Sequence, residues 1–205
     1  MKKQTLLLAT LILFLLQGCI VKSLHPFFNE SDVVFKPELL NSWIDDDGNK
    51  WVIRQIKDKP NAYEMHWLHQ GERDVVFVAH LFQLNNELYL DFMPVEDDRN
   101  DTDYPMFTLH LMPVHSVARV YALNENEVVI KWFNEKWLKS LFEQNRIKVS
   151  HEVIVDTAGK KDDNDKTYVL TAATGELQKF LVKYGDEDAA FDDGNTVSLV
   201  LKRDL

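Results

Sequence analysis

Cysteine is almost missing from this chain: Cys19 is the single one in 205 residues. No intramolecular disulfide can form, so the fold must be held by its core. Glycine and proline are scarce too, seven and six, which excludes a collagen-like or low-complexity chain. Cations are outnumbered, 23 Lys and Arg against 33 Asp and Glu, for a net charge of −10. That balance excludes nucleic acid as a partner, because neutralising phosphates needs clustered Lys and Arg. It equally argues against electrostatic adhesion to anionic lipid. The sequence contains no His-Glu-x-x-His, no Gly-x-Ser-x-Gly and no Gly-rich phosphate cradle, the patterns that mark zinc hydrolases, serine hydrolases and nucleotide sites.

Aromatic residues are plentiful: twelve Phe, six Tyr and five Trp. The N-terminus carries Lys2 and Lys3, then an apolar run from Leu6 to Leu16 that falls short of the about 20 residues of a membrane span, then Gln17-Gly18-Cys19. Charge, apolar run and small residues in that order outline a secretory leader. Leu16-Gln17-Gly18-Cys19 resembles the lipobox of bacterial lipoproteins. The resemblance implies cleavage before Cys19 and attachment of a diacylglycerol to its sulfur, usually with an acylated amine, so that the bilayer is a partner through acylated Cys19. It divides the chain into a signal peptide (1–18), a short lipidated tether (19–23) and one β-rich domain (24–205). Two acyl chains anchor stably where one does not. The residue after the cysteine is Ile20 and not the Asp that marks inner-membrane retention in some bacteria, which favours the outer membrane of a cell envelope.

From Trp43 onward the pattern is mostly period two, with turn residues between the runs. Strands are expected at Trp51–Ile56, Tyr63–Trp67, Val75–Leu84, Leu88–Met93, Met106–Met112, Val117–Leu123, Val128–Phe133, Ile147–Val155, Thr167–Ala172 and Val197–Leu201. The turns between them are Asp45–Asn49, Lys57–Asn61, Asn85-Asn86 and Asn124–Glu127. Two helices are expected late: Asn134 caps one with Trp137, Leu138, Leu141 and Phe142 on its apolar stripe, and Thr174-Gly175-Glu176 opens one with Leu177, Phe180, Leu181 and Tyr184 on its own. The fold class is therefore mainly β: an antiparallel meander closed as a β-barrel, or stacked as a sandwich, with two short helices in the C-terminal half. Leu40-Asn41-Ser42-Trp43 is similar to the Gly-x-Trp opening of lipocalins, with Asn41 in place of the glycine, and implies a lipocalin-like barrel. The segments His25-Pro26-Phe27-Phe28 and Met112-Pro113-Val114-His115 resemble an uncharacterised family of bacterial lipoproteins, which implies no activity.

Candidate chemistry is thin. His66 with His69, and His110 with His115, sit at odd offsets that place partners on opposite faces of a strand, so no metal site is expected. Glu96–Asp103 is acidic enough for Ca²⁺ but lacks the glycine and closing glutamate of an EF-hand loop, and reads as a solvated loop. Glu64, Asp91 and Glu152 lie in strands with nothing to pair them, so no catalytic residue and no cofactor is expected. What remains is the set of strand-borne aromatics, Trp51, Trp67, Phe77, Phe92 and Trp132, which either pack a core or line an apolar pocket. The resulting expectation is a membrane-anchored, non-catalytic binding module for an apolar or amphipathic small molecule. The alternatives are an envelope accessory subunit that binds a protein, and an envelope hydrolase. Cys19→Ala is expected to abolish lipidation and shift the protein from the membrane to the soluble envelope fraction. Full membrane retention of that variant after detergent-free washing would refute the lipobox reading.

Overall fold

The structure is a computed structural model and describes residues 20–68, 75–95, 112–155, 166–192 and 197–204. Its strands are β1 (Lys22–Ser23), β2 (Asn41–Asp45), β3 (Lys50–Ile56), β4 (Lys59–Leu68), β5 (Val75–Leu84), β6 (Glu87–Pro94), β7 (Ser116–Leu123), β8 (Glu127–Trp132), β9 (His151–Val155), β10 (Lys166–Leu170) and β11 (Ser198–Arg203). Helices α1 (Glu135–Glu143), α2 (Thr174–Tyr184) and α3 (Asp188–Phe191) lie between β8 and β11 in the chain.

Eight strands close into an antiparallel barrel in the order β11-β2-β3-β4-β5-β6-β7-β8, with β11 also paired to β8. This is the up-and-down, lipocalin-like barrel, which removes sheet edges by closure. The hairpins follow from their turn residues. Asn85 and Asn86 take φ of 47° and 66°, the double positive-φ turn that matches strand twist. Gly48 supplies φ of 82° in the turn after β2, where Asp45 Oδ1 accepts from the backbone N–H of Asp47 and Asn49.

A second sheet stands outside the barrel, in the order β1-β10-β9, with β1 parallel to β10. It packs with the three helices into a second core, which includes Val21, Phe27, Phe133, Leu138, Leu170, Leu177, Phe180 and Phe191. Helix α1 starts where Asn134 Oδ1 accepts from Lys136 N–H and Trp137 N–H. Strands β5, β6 and β7 are covered on both faces. Ala79, Leu81, Leu90, Phe92 and Ala118 point into the barrel, while Phe82, Tyr89 and Val117 point into the outer core.

Several expectations need correction. The turn at Lys57–Asn61 is only Lys57-Asp58, because β4 already begins at Lys59. The strand expected over Ile147–Val155 is regular only from His151, since Ile147 and Val149 pack against the outer core without joining a sheet. Among the described residues the α-helices number three, α3 being too short for its period to show. The packed body includes residues before Leu24: Ile20 bridges Asn134, Val21 is fully buried, and Ser23 exchanges both backbone bonds with His115 at 2.9 and 2.8 Å. Cys19, the Glu96–Asp103 loop, His69, His110 and all of the Met106–Met112 strand but Met112 lie outside the described residues.

The end of α2 meets the barrel wall tightly at Gly185. A Cβ there would fall 2.6 Å from the Leu181 carbonyl oxygen and collide with the Tyr89 hydroxyl. Gly185 also offers its own carbonyl to Arg119 Nη1 at 2.6 Å. Gly185→Ala is therefore expected to destabilise the fold by about 1–3 kcal/mol, read as a lower midpoint in urea with the slope unchanged.

Candidate functional site

The two ends of the barrel differ. At one end the chain from Val33 to Leu40 lies across the opening. Val34 N–H bonds Leu81 O at 2.8 Å, Phe35 stacks on Tyr63 at 5.1 Å, and Leu39 is buried against the barrel core. Trp43 is fully buried and donates its indole N–H to Leu39 O at 3.0 Å. The Tyr63 hydroxyl both accepts from Lys36 N–H and donates to Lys36 O, and burial pushes its pKa up to about 12. This end is plugged. The middle is filled by Ile53, Met65, Leu81, Leu90, Val128 and Ile130, all nearly fully buried.

The opposite end gathers the five aromatics named from the sequence. Trp51 opens β3, Trp67 nearly closes β4, Phe77 is near the start of β5, Phe92 near the end of β6, and Trp132 ends β8. Up-and-down connectivity brings these five strand ends to the same rim, and their inward register does the rest. Trp51 lies opposite Trp67 in register with ring centroids 6.1 Å apart. Phe77 meets Phe92 edge-on at 6.2 Å, and Phe92 meets Trp132 at 5.2 Å. Trp51 and Phe92 are buried, whereas Trp67, Phe77 and Trp132 are half-buried. Asp45 Oδ2 accepts the Trp51 indole N–H at 3.1 Å. Burial alone would raise the Asp45 pKa, but bonds from Asn49, Trp51 and the backbone together hold it below the usual carboxylate range. The rim is thus an apolar surface with one fixed negative group beside it.

Sequence reasoning missed a polar cluster on the outer face of β5 and β6. Asp91, 1% exposed, accepts from Phe27 N–H at 2.9 Å and from His115 Nδ1 at 2.7 Å. His80 lies opposite Asp91 in register and stacks on Phe28 at 4.3 Å. The alternation of β6 marks position 91 as facing away from Leu90 and Phe92, but only the fold reveals that this face is also buried. An Asp–His pair is the orienting half of a hydrolytic triad. Here, among the described residues, no hydroxyl or thiol is bonded to the His115 ring, and the carboxylate's second oxygen is engaged by the backbone of Phe27. The arrangement fastens the N-terminal segment to the barrel. Among the described residues, no group of three His, Cys, Asp or Glu side chains is placed to hold a metal ion. No protein-family model matches the chain, and neither a curated protein nor a solved structure does.

Two outcomes are expected of this cluster. Asp91→Ala leaves the Phe27 N–H and His115 without their acceptor, which should cost about 1.5–3 kcal/mol. Burial lowers the His80 pKa below 6.5, against the pull of Asp91 and Glu30; Lys59 and His115 lower it further. A base depressed in the folded state is protonated first in the unfolded chain, so stability should fall as pH drops below about 6.5 towards the folded pKa. His80→Phe keeps the stack on Phe28 and should flatten that part of the melting-temperature profile; an unchanged profile would assign the effect elsewhere.

Proposed function

We propose that this protein is a lipid-anchored, non-catalytic binding module that takes an apolar or amphipathic small molecule at the aromatic end of its barrel. The observation that carries the reading is the convergence of Trp51, Trp67, Phe77, Phe92 and Trp132 on one rim while the other end is plugged. An eight-stranded barrel is just wide enough for its own side chains or for one small ligand. With the middle filled, the ligand's apolar part lies against the rim aromatics instead of deep in the lumen. Such sites are mostly apolar with a few polar groups that set orientation, and Asp45 supplies one. Anchoring at Cys19 to an envelope membrane, with the outer membrane favoured, keeps this rim near a source of apolar molecules. Hydrolase chemistry has no comparable support.

A second reading, an accessory subunit that binds an envelope protein, is favoured by β9. It is the edge of the outer sheet, and Val153, Ile154 and Val155 are 41%, 57% and 53% exposed. Apolar edge strands are templates for strand addition.

The rim reading is tested by tryptophan fluorescence. Titration with a fatty acid or a lipophilic probe should give a saturable change that Trp67→Phe and Trp132→Phe diminish and Trp43→Phe does not. Phe77→Ala should weaken binding roughly five- to tenfold, the equivalent of about one aromatic contact. No saturable change across a broad lipid panel, together with a partner captured through β9 and lost on Ile154→Lys, would leave the accessory-subunit reading standing.

A further inference from the structure

We propose that the groove between residues 146–149 and helix α2 binds the phosphate-bearing headgroup of an anionic phospholipid. The groove holds about 290 Å³ and is lined by Arg146, Lys148, Lys179 and Lys183 around an apolar floor. In a chain with ten more acids than bases, its lining has four cations and a single acid, Glu176. Two local geometries produce this. The extended backbone after α1 alternates Arg146 and Lys148 outward with Ile147 and Val149 against the outer core. On α2, Lys179 and Lys183 are four residues apart and therefore stacked on one face, a like-charge pairing that is unfavourable by itself.

Some basic side chains elsewhere pair with acids, Lys50 with Asp204, Arg119 with Glu87, Lys131 with Asp192 and Lys202 with Asp46, and others such as Lys57 and Lys59 stand singly on the surface among the described residues. None of the four groove cations forms an ion pair with a described residue; Lys183 instead lies 4.7 Å over the Tyr184 ring. This cluster of positive charge, without ion pairs among the described residues, lies over Phe180 and Tyr184 and is complementary to an anion carried on an apolar group. The volume suits a headgroup and the first carbons of its chains, at the lower bound of small-molecule pockets.

Position selects the membrane as the source, a step that rests on the lipid-anchor reading. Phe180, on the groove floor, packs on Phe133 at 5.7 Å, and the Phe133 carbonyl accepts from Val21 N–H. Val21 is two residues from Cys19, at most about 7 Å of chain. The overall acidity of the chain opposes general adhesion to anionic lipid, so the groove acts as a local exception that fixes which side of the body meets the bilayer.

The test uses the full-length chain in a neutral detergent at low ionic strength, with lysine reactivity towards an amine-labelling reagent read by mass spectrometry. Dihexanoyl phosphatidylglycerol below its micelle concentration should protect Lys148, Lys179 and Lys183 several-fold. The phosphatidylcholine analogue should not, and exposed Lys57 and Lys59 should stay unchanged under both. Added salt should erase the protection. In a Lys179→Glu/Lys183→Glu variant Lys148 should lose its protection, whereas Lys179→Arg/Lys183→Arg should keep it. Equal labelling with the two lipids overturns the proposal, and so does inorganic phosphate protecting as well as the anionic lipid, which would make this a free-phosphate site. The assay needs no acyl group on Cys19, so its failure is separate from failure of the anchor, read by intact mass, or of the rim, read by fluorescence.

Discussion

Strand β6 is buried on both faces, and one carboxylate on it is the point at which the two cores are tied. Leu90 and Phe92 belong to the barrel interior, Tyr89 to the outer core. Asp91 sits between them with almost no exposure, its charge met by a backbone N–H and an imidazole. A buried carboxylate without partners would be prohibitive. The segment around Phe27 and the turn into β7 at His115 therefore have to dock where they do. Docking of Phe28 in turn covers Phe82 and stacks on His80, both on the outer face of β5.

Both layers are arranged around that tie. The barrel behind it is plugged at one end by the chain that follows the docked segment, and at the other end the inward aromatics Trp67, Phe77 and Trp132 are only half-buried. The helical layer in front of it buries Phe133, Phe180 and Phe191 and carries the cationic groove on its own outer side. Rim and groove are thus separate surfaces on the two layers, one apolar with a fixed carboxylate, the other cationic with an apolar floor.

The barrel was legible because its signal is local. The long apolar run Val75–Leu84, bulky on both faces, and the Asn85-Asn86 turn place β5 with the bounds observed, and the inward set Leu88, Leu90 and Phe92 follows from the pleat. The pattern named Trp51, Trp67, Phe77, Phe92 and Trp132 as strand-borne aromatics, but their gathering at one opening emerges only when the meander closes. The outer layer was not legible. β1 is two residues long and pairs with Val169 and Leu170, far along the chain, and no pattern within two residues can announce that. The Asp91–His115 contact spans 24 positions and depends on a second layer covering β6. Groove cations at 146, 148, 179 and 183 read as ordinary solvated charges until the fold sets them side by side.

Closure of the barrel carries a consequence for timing. β11 is a late strand, yet it completes the ladder on both β2 and β8, and Lys50 meets Asp204 from 154 residues away. A ribosome delivers that much chain on the order of ten seconds after Lys50 appears. Until then β2 lacks one of its two neighbours and the cylinder stays open. Such long-range pairing makes folding intrinsically slow. A barrel that needs β11 against both β2 and β8 keeps an open seam throughout the making of the strands before it, and its final shape is set in a single late closing step.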